Sequence, residues 1–190
     1  MPRAGLDADS VVATAAAIGD ADGLGAVTLA RLATRLGVRA PSLYAHVGGL
    51  EDLRRRLGTR GARELAAALQ GAAAGRARGD ALRAVADAYR AYAREHPGTY
   101  AALQRAPAPA AGDEAAAAAA QVVEVMRAVL RGYGLEGDDA IHAIRIIRAA
   151  LHGFVTLEAD GGFGMPVDLE ETFTRLVAAL DRSLPGEIPL

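Results

Sequence analysis

Between Thr28 and Val47 the apolar positions Leu29, Leu32, Ala33 and Leu36 return every three or four residues, stop at Gly37, and resume after Val38 with Leu43 and Val47. That spacing predicts two short helices: Thr28 caps the first, Gly37 ends it in a left-handed turn, and Pro41 sits in the first turn of a second that starts at Arg39. With Leu43 and Val47 turned inward, the outward residues are Arg39, Ala40, Ser42, Tyr44 and His46. A helix-turn-helix lays its second helix in a DNA major groove, so these side chains are candidate readers of bases and phosphates.

The same periodicity organises the flanks. A first helix is expected from near Asp7 or Asp9 to the breaker at Asp20–Gly23, with Val11, Ala15 and Ile18 on the face that packs on Leu29, Leu32 and Leu43. After Gly48-Gly49 the acids of Leu50-Glu51-Asp52-Leu53 open a long helix to about Leu69, and Gly71, Gly75 and Gly79 mark a break. Further helices are expected from Asp80 to Glu95, Thr99 to Arg105, Asp113 to Gly132, Ala140 to about Glu158 and Leu169 to Leu184, with Ala106–Glu114 read as a polyproline-like mobile loop. The result is an all-α chain of about nine helices. It divides into a helix-turn-helix head at residues 1–49, a connecting helix and break at 50–79, and a helical ligand-binding and dimerisation body at 80–190.

Composition supports this and narrows the chemistry. Alanine, the strongest helix former, fills 46 of 190 positions. The absence of cysteine excludes disulfides, a thiol nucleophile and cysteine-based metal sites. Net charge is −2, but residues 1–63 hold nine arginines against six acids, and the remainder twelve against seventeen. A basic head on an acidic body suits a protein that meets DNA with one end. No window of membrane-spanning length lacks a charge or glycine break, so a soluble, cytoplasmic protein is expected.

The run Thr-Leu-Ala-x-Leu-Ala-x-x-Leu-Gly-Val from Thr28, followed by Ser42-Leu43-Tyr44-x-His46-Val47, resembles the DNA-binding domain of tetracycline-repressor (TetR) family regulators, over roughly Leu6 to Arg60. Two departures stand out. Glycine replaces the serine that often caps the long helix, which predicts a looser junction, and Arg39 occupies a place where relatives often have a small polar residue. Further on, His96-Pro97-Gly98-x-Tyr100, Leu151-His152-Gly153-Phe154 and Gly161-Gly162-Phe163-Gly164 resemble the family's WHG-type ligand-binding domain, with leucine where that type's name has tryptophan. The resemblance implies DNA contacts from Thr28, Arg39, Ala40, Ser42, Tyr44 and His46. It also implies a homodimer through the last two helices, assigned here to the apolar positions Ile144, Ile147, Leu151, Phe173, Leu176 and Leu180. A largely apolar small-molecule effector is implied too, with Tyr89, Tyr92, Tyr100, Leu103, Met126, Leu130 and Phe154 as lining candidates. Of the successive Arg54, Arg55 and Arg56, at most two can reach DNA.

Two rival classes have less in the sequence to stand on. A small helical enzyme would have to be built from four histidines and scattered carboxylates; His142 and His152 are ten residues apart, off the i, i+4 spacing of a zinc helix. No nucleophile elbow, phosphate loop or dinucleotide fingerprint occurs, so neither catalytic residues nor a cofactor or metal is expected. An adaptor that has lost DNA binding would be expected to carry acids on the outward face, where this chain has Arg39, Ser42, Tyr44 and His46. The reading that remains is a ligand-responsive transcriptional regulator, a repressor by what the resemblance implies.

Overall fold

The computed structural model describes residues 6–106 and 113–185; the proline-alanine segment at 107–112, where a mobile loop was expected, lies outside them. Among the described residues there are eight α-helices and no strand: α1 Ala8–Asp22, α2 Leu29–Leu36, α3 Leu50–Ala73, α4 Arg78–Glu95, α5 Pro97–Arg105, α6 Glu114–Arg131, α7 Gly137–Ala159 and α8 Leu169–Ser183. The second element of the helix-turn-helix, Ala40–Ala45, is a 3-10 helix, and a single 3-10 turn at Leu24–Ala26 joins α1 to α2.

The boundaries follow local chemistry. Asp7 and Ser10 form a reciprocal capping box on α1, Thr28 caps α2, and Asp168 caps α8. The long helix outruns its expected end at Leu69 and reaches Ala73, because Gly71 is tolerated within a helix whose alanines favour continuation. Its stop comes instead at Gly75, which has a φ of 71°.

The chain forms two compact units: Met1–Glu64 with Glu95–Ala119, and Leu65–Arg94 with Ala120–Leu190. In the first, Val11, Ala15, Ile18, Leu32, Leu43 and Leu53 make one core, as the periodicity predicts, and Leu57 and Ala102 extend it. Helix α5 therefore belongs to the head's core, although by sequence order it falls within 80–190. Glycines allow this: Gly19 of α1 meets the backbone of Gly98, and Gly61 of α3 faces Thr99. Asp20 of α1 fastens the contact by accepting the Thr99 N–H at 2.8 Å and its hydroxyl at 3.2 Å, with His96 Nδ1 at 3.1 Å. A side chain from one helix thus satisfies a free N–H in the first turn of another.

In the second unit Leu82, Val85, Leu130, Ile147 and Leu151 are fully or almost fully buried. So is one charge. Arg90, 5% exposed, donates from Nε and Nη2 to Glu158 at 3.0 and 2.5 Å and from Nη1 to Glu170 at 2.7 Å. Its guanidinium carbon also lies 4.7 Å from the Phe173 ring centroid and 5.3 Å from that of Phe154. Hydrogen bonding from Arg90 outweighs burial and holds the Glu158 carboxyl below its ordinary range. This clamp ties α4 to the end of α7 and the start of α8.

Candidate nucleic-acid interface

The interface is set up by α2. Thr28 Oγ1 accepts the Arg31 N–H at 3.2 Å, which leaves its own O–H free to donate outward. Gly37, at φ 68°, turns the chain, and Val38 N–H returns to Ala33 O at 3.0 Å.

The recognition segment differs from the α-helix that spacing predicts. Ser42 N–H bonds Arg39 O and His46 N–H bonds Leu43 O, both at 2.9 Å, so the turns close three residues back rather than four. Pro41, which has no N–H to give, and a length of only six residues both favour this tighter form. Arg39 is accordingly the cap residue, in extended geometry, and not part of the first turn. Leu43 is 0% exposed and anchors the segment, while its neighbour Tyr44 is 63% exposed. Arg39 and Ser42 are exposed with Tyr44; Ala40 and His46 are half-buried, Ala40 packing on the core. Asp7 faces His46: hydrogen bonds from the Ser10 backbone and hydroxyl, with a smaller contribution from the His46 charge, hold the Asp7 carboxyl below its ordinary value.

Asp52 is the residue that sequence reasoning missed. It accepts the Gly48 N–H at 3.0 Å, Arg55 Nη2 at 2.5 Å and Arg56 Nε at 2.8 Å. Burial raises its pKa, but the Gly48 N–H and the two arginines outweigh it and bring the value down to about 2. The junction expected to be loose is thus tied from the fourth residue on, a signal present in the sequence as an acid four places after Gly48. Arg54 pairs with Glu51 at 3.0 Å and Arg31 with Asp22 at 2.5 Å. Arg31, Arg54, Arg55 and Arg56 all remain at least partly exposed, and so stay available to phosphates.

The other candidate sites fare differently. Of the effector-lining set, Tyr100 and Leu103 lie on α5 in the first unit, whereas Tyr89, Tyr92, Met126, Leu130 and Phe154 are buried in the second. Of the interface set, Ile147, Leu151, Phe173 and Leu180 are buried within their own chain and so are core residues; Ile144 and Leu176 are half-buried. The reason is one of phase. The apolar stripe read from the sequence lies on the buried side of α7, where Phe154 meets Phe173 of α8 at 4.9 Å, while the exposed side carries Ile146, 59% exposed, Ala149 and Leu157, 49% exposed. Apolar on both sides, α7 is also long and apolar enough to cross a membrane by length and composition, the one such helix among the described residues.

Residues 82–180 match the family model described as "Tetracyclin repressor-like, C-terminal domain". An uncharacterized HTH-type transcriptional regulator of Mycobacterium tuberculosis is 41% identical over 181 residues, covering 93% of this chain and 83% of the relative. A second, from Bacillus subtilis, is 35% identical over 176 residues, 91% of this chain and 90% of the relative. The fold also matches a solved structure of a TetR variant from Acinetobacter baumannii in complex with minocycline, with a TM-score of 0.69 at 20% identity over 96% of this chain and all of that one. Together with the helix-turn-helix, these matches establish that the chain belongs to the tetracycline-repressor (TetR) family and is a DNA-binding transcriptional regulator rather than an enzyme.

Proposed function

We propose that the chain acts as a homodimeric repressor that holds a palindromic operator through two copies of the Ala40–Ala45 segment and releases it when a small molecule binds. The observation that carries this reading is the contrast between Leu43, wholly buried, and the exposed Arg39, Ser42 and Tyr44 around it. In this account Thr28, Tyr44 and His46 hold phosphates and fix register, while Arg39 reads a base edge from the major groove, with Ala40 and Ser42 allowing close approach. A single short segment offers little contact; two related by a dyad read half-sites about one helical turn, ~34–36 Å, apart or a multiple of it.

The dimer forms through the exposed side of α7, around Ile146, Ala149 and Leu157, together with α8. Functionally the chain divides into reader (1–49), connecting helix (50–79) and effector-binding and dimerisation part (80–190). The effector is a largely apolar small molecule; the A. baumannii TetR variant of the same fold was solved in complex with minocycline. It acts by binding the DNA-incompetent conformation better, a coupling of about 1–3 kcal/mol in typical cases. Working on DNA, the protein is cytoplasmic.

The test is a pair of substitutions read against a panel of duplexes. Arg39→Ala is expected to flatten preference at one symmetric pair of base positions, and Tyr44→Phe to weaken cognate and unrelated DNA by similar factors. An unchanged binding profile for both would refute the assignment.

A further inference from the structure

The first unit contains a cleft of about 510 Å³ that none of the effector candidates lines. Its size lies within the ~300–1,000 Å³ range of small-molecule sites. Leu24, Ala102 and Ala106 provide an apolar wall, and Arg54, Arg55 and Arg105, drawn from α3 and α5, line the same cleft. Two carboxylates also line it. Asp52 is already shared among Gly48, Arg55 and Arg56, and Glu51 lies out in solvent with one bond to Arg54 Nη1. Arg105, exposed on α5, has no ion-pair partner among the described residues.

We infer that this cleft is a second small-molecule site, one that takes an amphipathic organic anion with its apolar body against Leu24, Ala102 and Ala106 and its carboxylate, sulfonate or phosphate group between Arg54 and Arg105. Arginine suits the task because its donors are fixed in a fork that matches a planar or tetrahedral oxyanion. With three arginines against two carboxylates along the cleft, its surplus positive charge would gain a counter-ion. Its lining shares no residue with the effector candidates. Because α3 begins at the junction behind the recognition segment, an occupant here touches the helix whose first turns Asp52 organises.

The probe is 1-anilinonaphthalene-8-sulfonate, an apolar ring system with one sulfonate, titrated by fluorescence into the full-length protein. One saturable site per chain is expected to be lost in Ala106→Trp, which fills the cleft. Arg105→Gln, an exposed substitution that leaves the core alone, is expected to weaken binding about tenfold, the loss of one charged hydrogen-bonding partner. The uncharged N-phenyl-1-naphthylamine should bind the parent and Arg105→Gln alike. Sulfonate binding that is unchanged in both variants overturns the inference. So does an Arg105→Gln that leaves sulfonate binding intact yet reduces the salt dependence of binding to unrelated duplex by about one ion per chain, since the arginine then serves DNA phosphate.

Discussion

Gly98 at the start of α5 lies so close to the backbone of Gly19 in α1 that no β-carbon fits between them. Two helices almost eighty residues apart in sequence are thereby brought to backbone contact, and Asp20, the next residue along, caps the approach. Gly98→Ala must push α5 off α1. A loss of about 1–3 kcal/mol of stability, the usual range for overpacking, is expected in chemical denaturation. A parent-like midpoint would show that the contact gives way freely.

This contact explains what was and was not legible in the sequence. The helices were readable from period and caps, because Thr28, Gly37, Asp168 and the Leu29–Leu36 spacing act within a few residues of themselves. The partner of α5 was not, since Gly19 and Gly98 look like ordinary helix weaknesses until they are seen face to face. The same limit applies to α7. A helix with two apolar sides has two candidate core faces, and periodicity does not say which one Arg90 and Phe173 will cover; the stripe legible in the sequence is the buried one. Burial of Arg90 was equally hidden, since the glutamates that neutralise it lie 68 and 80 residues away.

Asp52 makes acid stability testable. Its pKa is about 2 in the folded chain against 3.8 for the free group, so its contribution is fully present above about pH 4 and is lost as pH falls toward 2. Asp52→Asn should therefore be less stable than the parent at pH 6, by on the order of 2 kcal/mol, with the difference closing near pH 2. A difference that stays constant across that window would mean the carboxylate charge is not what holds the Gly48 junction.

The exposed side of α7 makes the dimer testable without disturbing the core. Ile146→Glu or Leu157→Arg places an unpaired charge on the apolar surface that the proposed dimer buries, which is strongly unfavourable. Sedimentation should show monomer with parent-like helicity and weakened operator binding. Leu151→Asp, by contrast, should unfold the second unit, as the side chain is core. If both surface variants remain dimeric, the interface lies elsewhere.

Arg90→Met tests the buried clamp. Removing the cation leaves Glu158 without its partner in a partly buried setting, a type of change that costs about 3–5 kcal/mol. Thermal unfolding should register it, and Arg90→Met with Glu158→Gln together should recover part of the loss. No recovery would mean that stacking on Phe154 and Phe173 outweighs the ion pair.

In the proposed function two copies of the Ala40–Ala45 segment read one DNA site in symmetric register. Selection of bound sequences from a random duplex pool by the unmodified protein tests it most directly. The expected outcome is enrichment of a palindrome whose half-sites are spaced by about one helical turn or a multiple of it, at ~34–36 Å per turn. Recovery of a pool with no enriched motif, or of a single half-site without dyad symmetry, would contradict it.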